Sequence, residues 1–142
     1  MTFNRILIAV DTSEIGVNAT VAGLELAAAL GAKVAFIHVV APAVTDAGWF
    51  AVASPELTQP QGGEILQVLA SLQGRAPIPA ETVRFVPVGD PANCITQAAR
   101  DWPADLVVIG SHGRGGVDRV LLGSVAEGVA RHAPCPVLIV RK

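Results

Sequence analysis

The sequence predicts an α/β fold, a doubly wound parallel sheet of five strands with helices on both faces. Short apolar runs alternate with helical periodicity along the chain, in the order β-α-β-α-β-α-β-α-β. The apolar runs are hydrophobic at consecutive positions, as in strands covered on both faces. No repeat or linker interrupts the pattern, so we expect residues 1–142 to form a single domain.

The first half of the chain predicts two strands and two helices. Residues 6–10 and 33–40 are the apolar runs of strands one and two, and residues 64–72 predict helix two. Helix one is predicted to end near residues 30–31 because an apolar stripe with the spacing i, i+4, i+7 and i+11 precedes them. The stripe consists of Val17, Val21, Leu24 and Ala28.

The segment 41–62 has no periodic pattern and contains three prolines and the pair Trp49–Phe50. A connection of this length is often a lid or a binding loop. The two aromatic side chains could cover a ligand, meet a partner or be buried against the sheet edge. The sequence leaves these roles open.

The second half predicts three strands and two helices. The strands are residues 82–88, residues 106–110 and a last strand that begins at Pro136 and ends at Val140. Helix three extends to residue 101 and begins with Asp90 as its N-cap and Pro91 at its first position, where a missing N–H costs nothing. Helix four covers residues 124–132.

Composition narrows the class of protein. The chain is 51% hydrophobic and 15% charged, so it can fill a core, and its net charge of −2 gives no reason to bind nucleic acid or an anionic membrane. The first apolar run is too short for a secretory signal or a membrane span. Cys94 and Cys135 lack metal-ligand spacing, and we expect two half-buried free thiols in a reducing cytoplasm.

A glycine-rich loop follows the fourth predicted strand. Gly110-Ser-His-Gly113 leads to Gly123-Ser124 at the start of helix four, with the spacing G-x2-G-x9-G-S. A buried strand, a glycine loop and a helix N-terminus in this order are typical of an anion site, because backbone N–H groups and the helix dipole favour negative charge. Candidate donors are the backbone around Gly113 and Gly123, the Ser124 hydroxyl and the Arg114 guanidinium.

Two common phosphate motifs do not match this loop. A Walker A motif needs a lysine, and none lies between Lys33 and Lys142, while a dinucleotide fingerprint needs a third glycine where Asp118 stands. The glycines could instead serve only a tight turn with positive φ. Ser124 with Glu127 also has the spacing of a capping box, which is compatible with phosphate contact.

Asp11 follows the first predicted strand. In doubly wound sheets ligands lie beyond the carboxyl ends of the strands where the winding reverses, so its carboxylate could accept a bond from ribose hydroxyls or bind a metal. Alternatively, Asp11, Thr12 or Ser13 caps the next helix. The two interpretations remain open.

The three histidines show no metal-ligand spacing. His38 is expected in the core, His132 in the last turn of helix four, where it complements the dipole, and His112 in the glycine loop. No nucleophile, base and orienting group occur in a recognised arrangement, so we expect slow or absent turnover.

Several segments together resemble the universal stress protein family along the whole chain. They are residues 5–13, Ile37-His38-Val39, residues 89–92, the glycine signature of residues 110–124 and residues 133–140.

The resemblance implies a Rossmann-like sheet of order 3-2-1-4-5, similar to adenine nucleotide α-hydrolases, that binds ATP. A divalent metal such as Mg²⁺ could accompany the triphosphate, but the sequence names no dedicated ligands for it. The resemblance also implies a homodimer paired through the strand from Pro136 to Val140. Ala9, Val10 and Asp11 would contact adenosine, and Val39 would pack on adenine. The ribose and phosphates would be held by Ile109, Gly110, Gly113, Gly123, Ser124 and Val125.

The function that we expect is a cytoplasmic, ATP-binding regulator of stress responses. Two alternatives remain: a slow ATPase or an adenylyl or phosphoryl transferase on the same fold, and a dimeric interaction module that needs no nucleotide.

Overall fold

The sheet is fully parallel and has five strands in the order β3-β2-β1-β4-β5. The computed structural model describes residues 1–41, 63–113 and 122–141. In these ranges the elements are β1 (Arg5–Ala9), α1 (Glu14–Leu30), β2 (Lys33–Ile37), α2 (Gly63–Ser71), β3 (Thr82–Phe85), α3 (Pro91–Asp101), β4 (Leu106–Gly110), α4 (Ser124–His132) and β5 (Val137–Val140). The predicted fold class and strand order are confirmed.

Successive residues of the central strand β1 enter two different cores. Ile6 and Ile8 belong to a cluster with residues of α1 and α2, whereas Leu7 and Ala9 belong to a cluster with residues of α3 and α4. All four are buried. Burial on both faces is the reason for the unbroken apolar runs in the sequence.

Three predicted strands are longer than the observed ladders. The predicted strands end at residues 10, 40 and 88, whereas the observed strands end at residues 9, 37 and 85. Beyond β2 and β3 the chains stay linked by the bond from His38 N to Phe85 O (3.0 Å) and an isolated bridge between Val40 and Val88. Pro87 lies within this stretch and has no N–H to donate, so a regular ladder cannot continue.

Helix α1 packs closely on the sheet through small residues. The predicted stripe is wrong at Ala28, which is exposed, while Ala27 is buried. A Cβ at Gly23 would lie 2.7 Å from Ile8 Cδ1, so this glycine lets the helix approach β1. The helix ends at Leu30, within the predicted range, and its C-cap Gly31 has a φ of 63°, the left-handed conformation that favours glycine.

The N-terminus of α3 forms as predicted. Asp90 is the N-cap, its carboxylate accepts a bond from Asn93 N at 3.0 Å, and Pro91 is the first helical residue. This local signal was readable because the cap and its partner are three residues apart.

Candidate functional site

The carboxyl ends of β1 and β4 bring together two segments about 100 residues apart in sequence. The two strands are paired neighbours at the centre of the sheet, where the winding direction reverses. A Cβ at Gly113 would lie 3.3 Å from Asp11 Oδ2. The predicted strand-one carboxylate and the predicted glycine loop therefore form one cradle.

The sequence left open whether Asp11, Thr12 or Ser13 caps helix α1, and in the structure the cap is Ser13. The Ser13 hydroxyl accepts a bond from Gly16 N at 3.1 Å. Asp11 Oδ1 accepts a bond from Ser13 N at 2.6 Å, which orients the carboxylate. Its other oxygen, Oδ2, is the atom next to Gly113. Capping of the helix thus does not consume the Asp11 carboxylate.

Gly16 is a site residue that the sequence analysis missed. A Cβ at this position would lie 2.6 Å from Asp11 O and 2.7 Å from Asp11 Cβ. Any larger residue would displace the segment that carries the carboxylate. The signal was a glycine in the first turn of a helix, which is unfavourable unless close packing requires it.

The glycines of the loop are required by close approach. A Cβ at Gly110 would lie 2.9 Å from Ile15 Cγ2, and one at Gly123 would lie 2.9 Å from Ser111 O. Gly110, Gly113 and Gly123 all have φ outside the left-handed region. The alternative that these glycines serve a turn with positive φ is therefore wrong.

The start of α4 differs from the predicted capping box. Gly123 is the N-cap, no side chain caps the helix, and Ser124 is already the first helical residue. Glu127 N donates to Gly123 O at 3.0 Å, so the capping-box interpretation is wrong by one residue. The exposed Ser124 hydroxyl is not consumed by a cap and remains available to an anion at the helix N-terminus.

Four of the predicted contact residues share one face of the sheet. Ala9 and Ile109 are buried in the cluster beneath α3 and α4, and Val39 and Val125 pack against the same cluster half-buried. The side chain of Val10 belongs to the opposite cluster, and its backbone N donates to Ile37 O at 2.8 Å. Apolar side chains thus lie beside the polar cradle.

The sequence model of the universal stress protein family matches residues 2–141 of this chain. The chain belongs to the universal stress protein family. A universal stress protein of Methanocaldococcus jannaschii is 34% identical over 99% of this chain and 83% of its own length. The universal stress protein YxiE of Bacillus subtilis is 32% identical over 98% of this chain and 99% of its own length.

Solved universal stress proteins share the fold. UspA from Lactobacillus plantarum has a TM-score of 0.75 and 25% identity, with 99% of both chains covered. A universal stress protein in complex with cAMP has a TM-score of 0.73 and 23% identity, with 99% of this chain and 98% of that one covered. One from Archaeoglobus fulgidus in complex with dAMP has a TM-score of 0.69 and 22% identity, with 99% of both chains covered.

In this universal stress protein, Ser111 links the end of β5 to the N-cap of α4. The sequence analysis did not single it out as a site residue. The backbone N of Ser111 donates to Val140 O at 2.8 Å, and its backbone O accepts a bond from Gly123 N at 2.7 Å. The buried hydroxyl contacts His112 Nδ1 at 3.1 Å. A serine between two glycine-loop residues gives little sequence signal, because its partners lie far along the chain.

The other two histidines are bound within the fold. His38 is hydrogen-bonded as predicted, but it is half-buried and lies just beyond β2, so the predicted position in the core of strand two is wrong. His132 Nδ1 donates to Gly128 O at 3.0 Å in the last turn of α4. Residues 1–41, 63–113 and 122–141 contain no group of three or more His, Cys, Asp or Glu side chains that could hold a metal ion.

Some predictions fall outside the described residues. Arg114, Trp49, Phe50 and the segment 42–62 are among them, and their predicted roles stay predictions. None of the helices that the structure describes is long and apolar enough to cross a membrane.

Proposed function

We propose that this universal stress protein binds ATP between the carboxyl ends of β1 and β4 and acts as a nucleotide-dependent regulator in the cytoplasm. The observation that carries the proposal is the cradle formed by Asp11 and Gly113. A Cβ added at Gly113 would lie 3.3 Å from Asp11 Oδ2. Residues 1–142 would act as a single domain. Mg²⁺ would accompany the phosphates without a dedicated ligand set.

The residues of the cradle fit the parts of an adenine nucleotide. The Asp11 carboxylate suits the hydroxyls of a ribose, since an ionised carboxylate only accepts hydrogen bonds and a hydroxyl can donate one. The uncapped start of α4 suits the phosphates, because its N–H groups and dipole favour an anion. The proposed contact residues are Ala9, Val10, Asp11, Val39, Ile109, Gly110, Gly113, Arg114, Gly123, Ser124 and Val125.

Structural neighbours support an adenine nucleotide as the ligand class. Two universal stress proteins of this fold are described in complex with cAMP and with dAMP. Both ligands contain adenine, a sugar and a phosphate. The more specific proposal, that the adenine nucleotide is ATP, rests on the glycine signature that ends at the N-terminus of α4.

We also propose a homodimer that pairs β5 of two subunits. This edge strand, Val137–Val140, is apolar at every position, and Leu138 is exposed. An apolar edge strand exposes unpaired backbone groups that favour pairing with another chain.

A charge placed at Ser124 tests the phosphate site. Ser124→Glu puts a carboxylate at the first position of α4, where it is favourable for the helix dipole but repels a phosphate. We expect ATP affinity to fall by at least about tenfold, since a hydrogen bond to a charged group contributes about 1.5–3 kcal/mol. Isothermal titration calorimetry of nucleotide-stripped protein with Mg-ATP, ADP and AMP measures the change.

Ala130→Glu is the matched control, because it adds the same charge at an exposed position further along α4. It should leave ATP affinity within about twofold of the parent value, because an exposed charge at that distance is largely screened. Thermal unfolding should show Ser124→Glu to be at least as stable as the parent protein. Equal ATP affinity in both variants would refute the phosphate assignment, and absence of nucleotide binding by the parent protein would refute the proposed function.

A further inference from the structure

The His38 side chain links the ends of two strands to helix α2. Its Nδ1 is 3.1 Å from Val10 O, and its Nε2 is 3.1 Å from Glu64 Oε2 in the first turn of α2. Its backbone N donates to Phe85 O at 3.0 Å. The imidazole therefore lies between the end of β1 and α2, while its own backbone extends β2.

Both partners of the His38 ring are acceptors. A carbonyl oxygen accepts and cannot donate, and so does an ionised carboxylate. A neutral imidazole has one N–H, so it can satisfy either Val10 or Glu64 but not both. Hydrogen bonds to Val10 O and to an ionised Glu64 carboxylate form together only when the ring carries both protons.

We propose that His38 is a positioning residue whose second proton keeps α2 attached to the strand ends that form the nucleotide site. Loss of that proton leaves Nε2 as an acceptor facing the Glu64 carboxylate, and the contact to α2 opens. Val10, whose carbonyl oxygen contacts His38, and Val39, which follows His38 in the sequence, are both proposed nucleotide contacts. The inference therefore rests on the proposed function. Nucleotide affinity then decreases as pH rises.

Among the residues that the structure describes, charged groups near His38 lie on α2, in the connection after β1 and on β3. Glu64 on α2 is the partner in direct contact. Asp11 follows Val10 in the connection to α1, but its Oδ1 is bonded to Ser13 N, and Arg84 on β3 is exposed. The side chains of His38 and Glu64 are 17% and 36% exposed, so the proton can exchange with solvent without unfolding.

The pH profile of nucleotide binding tests the proposal. Calorimetric titration with Mg-ATP between pH 5 and 8, the range in which a histidine exchanges its second proton, should show affinity of the parent protein decreasing about fivefold or more. His38→Gln should remove most of that dependence because the glutamine does not titrate. All other groups are the same in the two proteins, so the ratio of their affinities at each pH isolates the contribution of His38.

His132→Gln is the matched control, since His132 is exposed and bonded within α4. It should follow the parent profile. Identical profiles for the parent and His38→Gln would overturn the proposal, and so would loss of the dependence in His132→Gln.

Glu64→Gln separates a proton-dependent link from simple packing. The glutamine amide can donate to the neutral Nε2 of His38, so α2 stays attached at pH 8. We expect Glu64→Gln to bind nucleotide at pH 8 about as tightly as the parent protein does at pH 6. A profile parallel to that of the parent protein would show that Glu64 does not couple to the proton, contrary to the proposal.

Hydrogen exchange of the nucleotide-free protein distinguishes failure of this inference from failure of the proposed function. The amides of α2, corrected for intrinsic exchange, should be protected about fivefold less at pH 8 than at pH 6 in the parent protein, and equally in Glu64→Gln. If no nucleotide binds at any pH, the proposed function fails while this measurement still decides whether His38 holds α2. Equal protection of α2 at both pH values in the parent protein would overturn the inference.

Discussion

Asp11 is positioned by glycines on two sides. Gly16 leaves room beneath its backbone and Cβ, and Gly113 leaves room beside its Oδ2. Sequence analysis placed Asp11 and Gly113 in the site because each follows an apolar run. It missed Gly16, since helical periodicity describes which face of α1 is apolar but not how near that face lies to another segment.

Gly16→Ala should weaken nucleotide binding although alanine favours helices. The new Cβ would meet Asp11 O at 2.6 Å, and overpacking of this kind costs about 1–3 kcal/mol. Gly23→Ala is the control, because its Cβ would meet the Ile8 side chain, away from the cradle. Urea unfolding should show both variants destabilised, and calorimetry should show reduced ATP affinity for Gly16→Ala alone. Equal ATP affinities in the two variants would contradict this role of Gly16.

Cys94 and Cys135 are half-buried free thiols. Burial raises the pKa of both thiols, and the negative charges of Asp90 and Asp105, respectively, raise it further, while a backbone hydrogen bond from Val107 lowers the pKa of Cys135. Because the thiolate is the nucleophile, folding should slow alkylation.

The pH dependence of alkylation follows from the raised pKa values. At pH 8 iodoacetamide should modify both cysteines more slowly in the folded protein than in urea, as measured by mass spectrometry. A raised folded-state pKa adds stability that is present below the ordinary thiol pKa and is lost as pH rises through the folded value. The free energy of unfolding should therefore decrease above about pH 8.5. Folded-state alkylation as fast as in urea would contradict the raised pKa values.

At the scale of elements, the order and type of the strands and helices were predictable, and their ends were less so. The Asp90 cap and the Gly31 terminus were readable because their partners are near in sequence. The end of β3 could not be predicted, because the apolar run of the sequence continues past Pro87. The start of α4 at Ser124 was predicted correctly, but its N-cap was missed by one residue: Ser124 and Glu127 have the spacing of a capping box, whereas the N-cap is Gly123, whose N–H is bonded to Ser111 O.

At the scale of the whole molecule, the two edges of the sheet differ. β3 carries the exposed Arg84 among its four residues, whereas β5 is apolar throughout. A charged residue on an edge strand opposes pairing with another chain. The difference favours β5 as the dimer edge.

Leu138→Lys should convert the proposed dimer to a monomer. Leu138 is 38% exposed on β5, and a lysine there would place like charges together across a paired edge. Val83→Lys is the matched control on β3, where Val83 is 41% exposed. Light scattering with size-exclusion chromatography should show a dimer for the parent protein and Val83→Lys. Dissociation by Val83→Lys alone would place the interface on β3 instead.

The sequence by itself determined the alternation of strands and helices, the burial of both sheet faces and the caps of α1 and α3 at Gly31 and Asp90. These features depend on residue types within one element or a few positions apart. Only the tertiary structure decided that Gly16, Gly110 and Gly123 are needed for close approach, and that Asp11 meets the glycine loop at Gly113. Such contacts join segments that the strand order brings together, so their distances depend on packing between elements and not on local pattern.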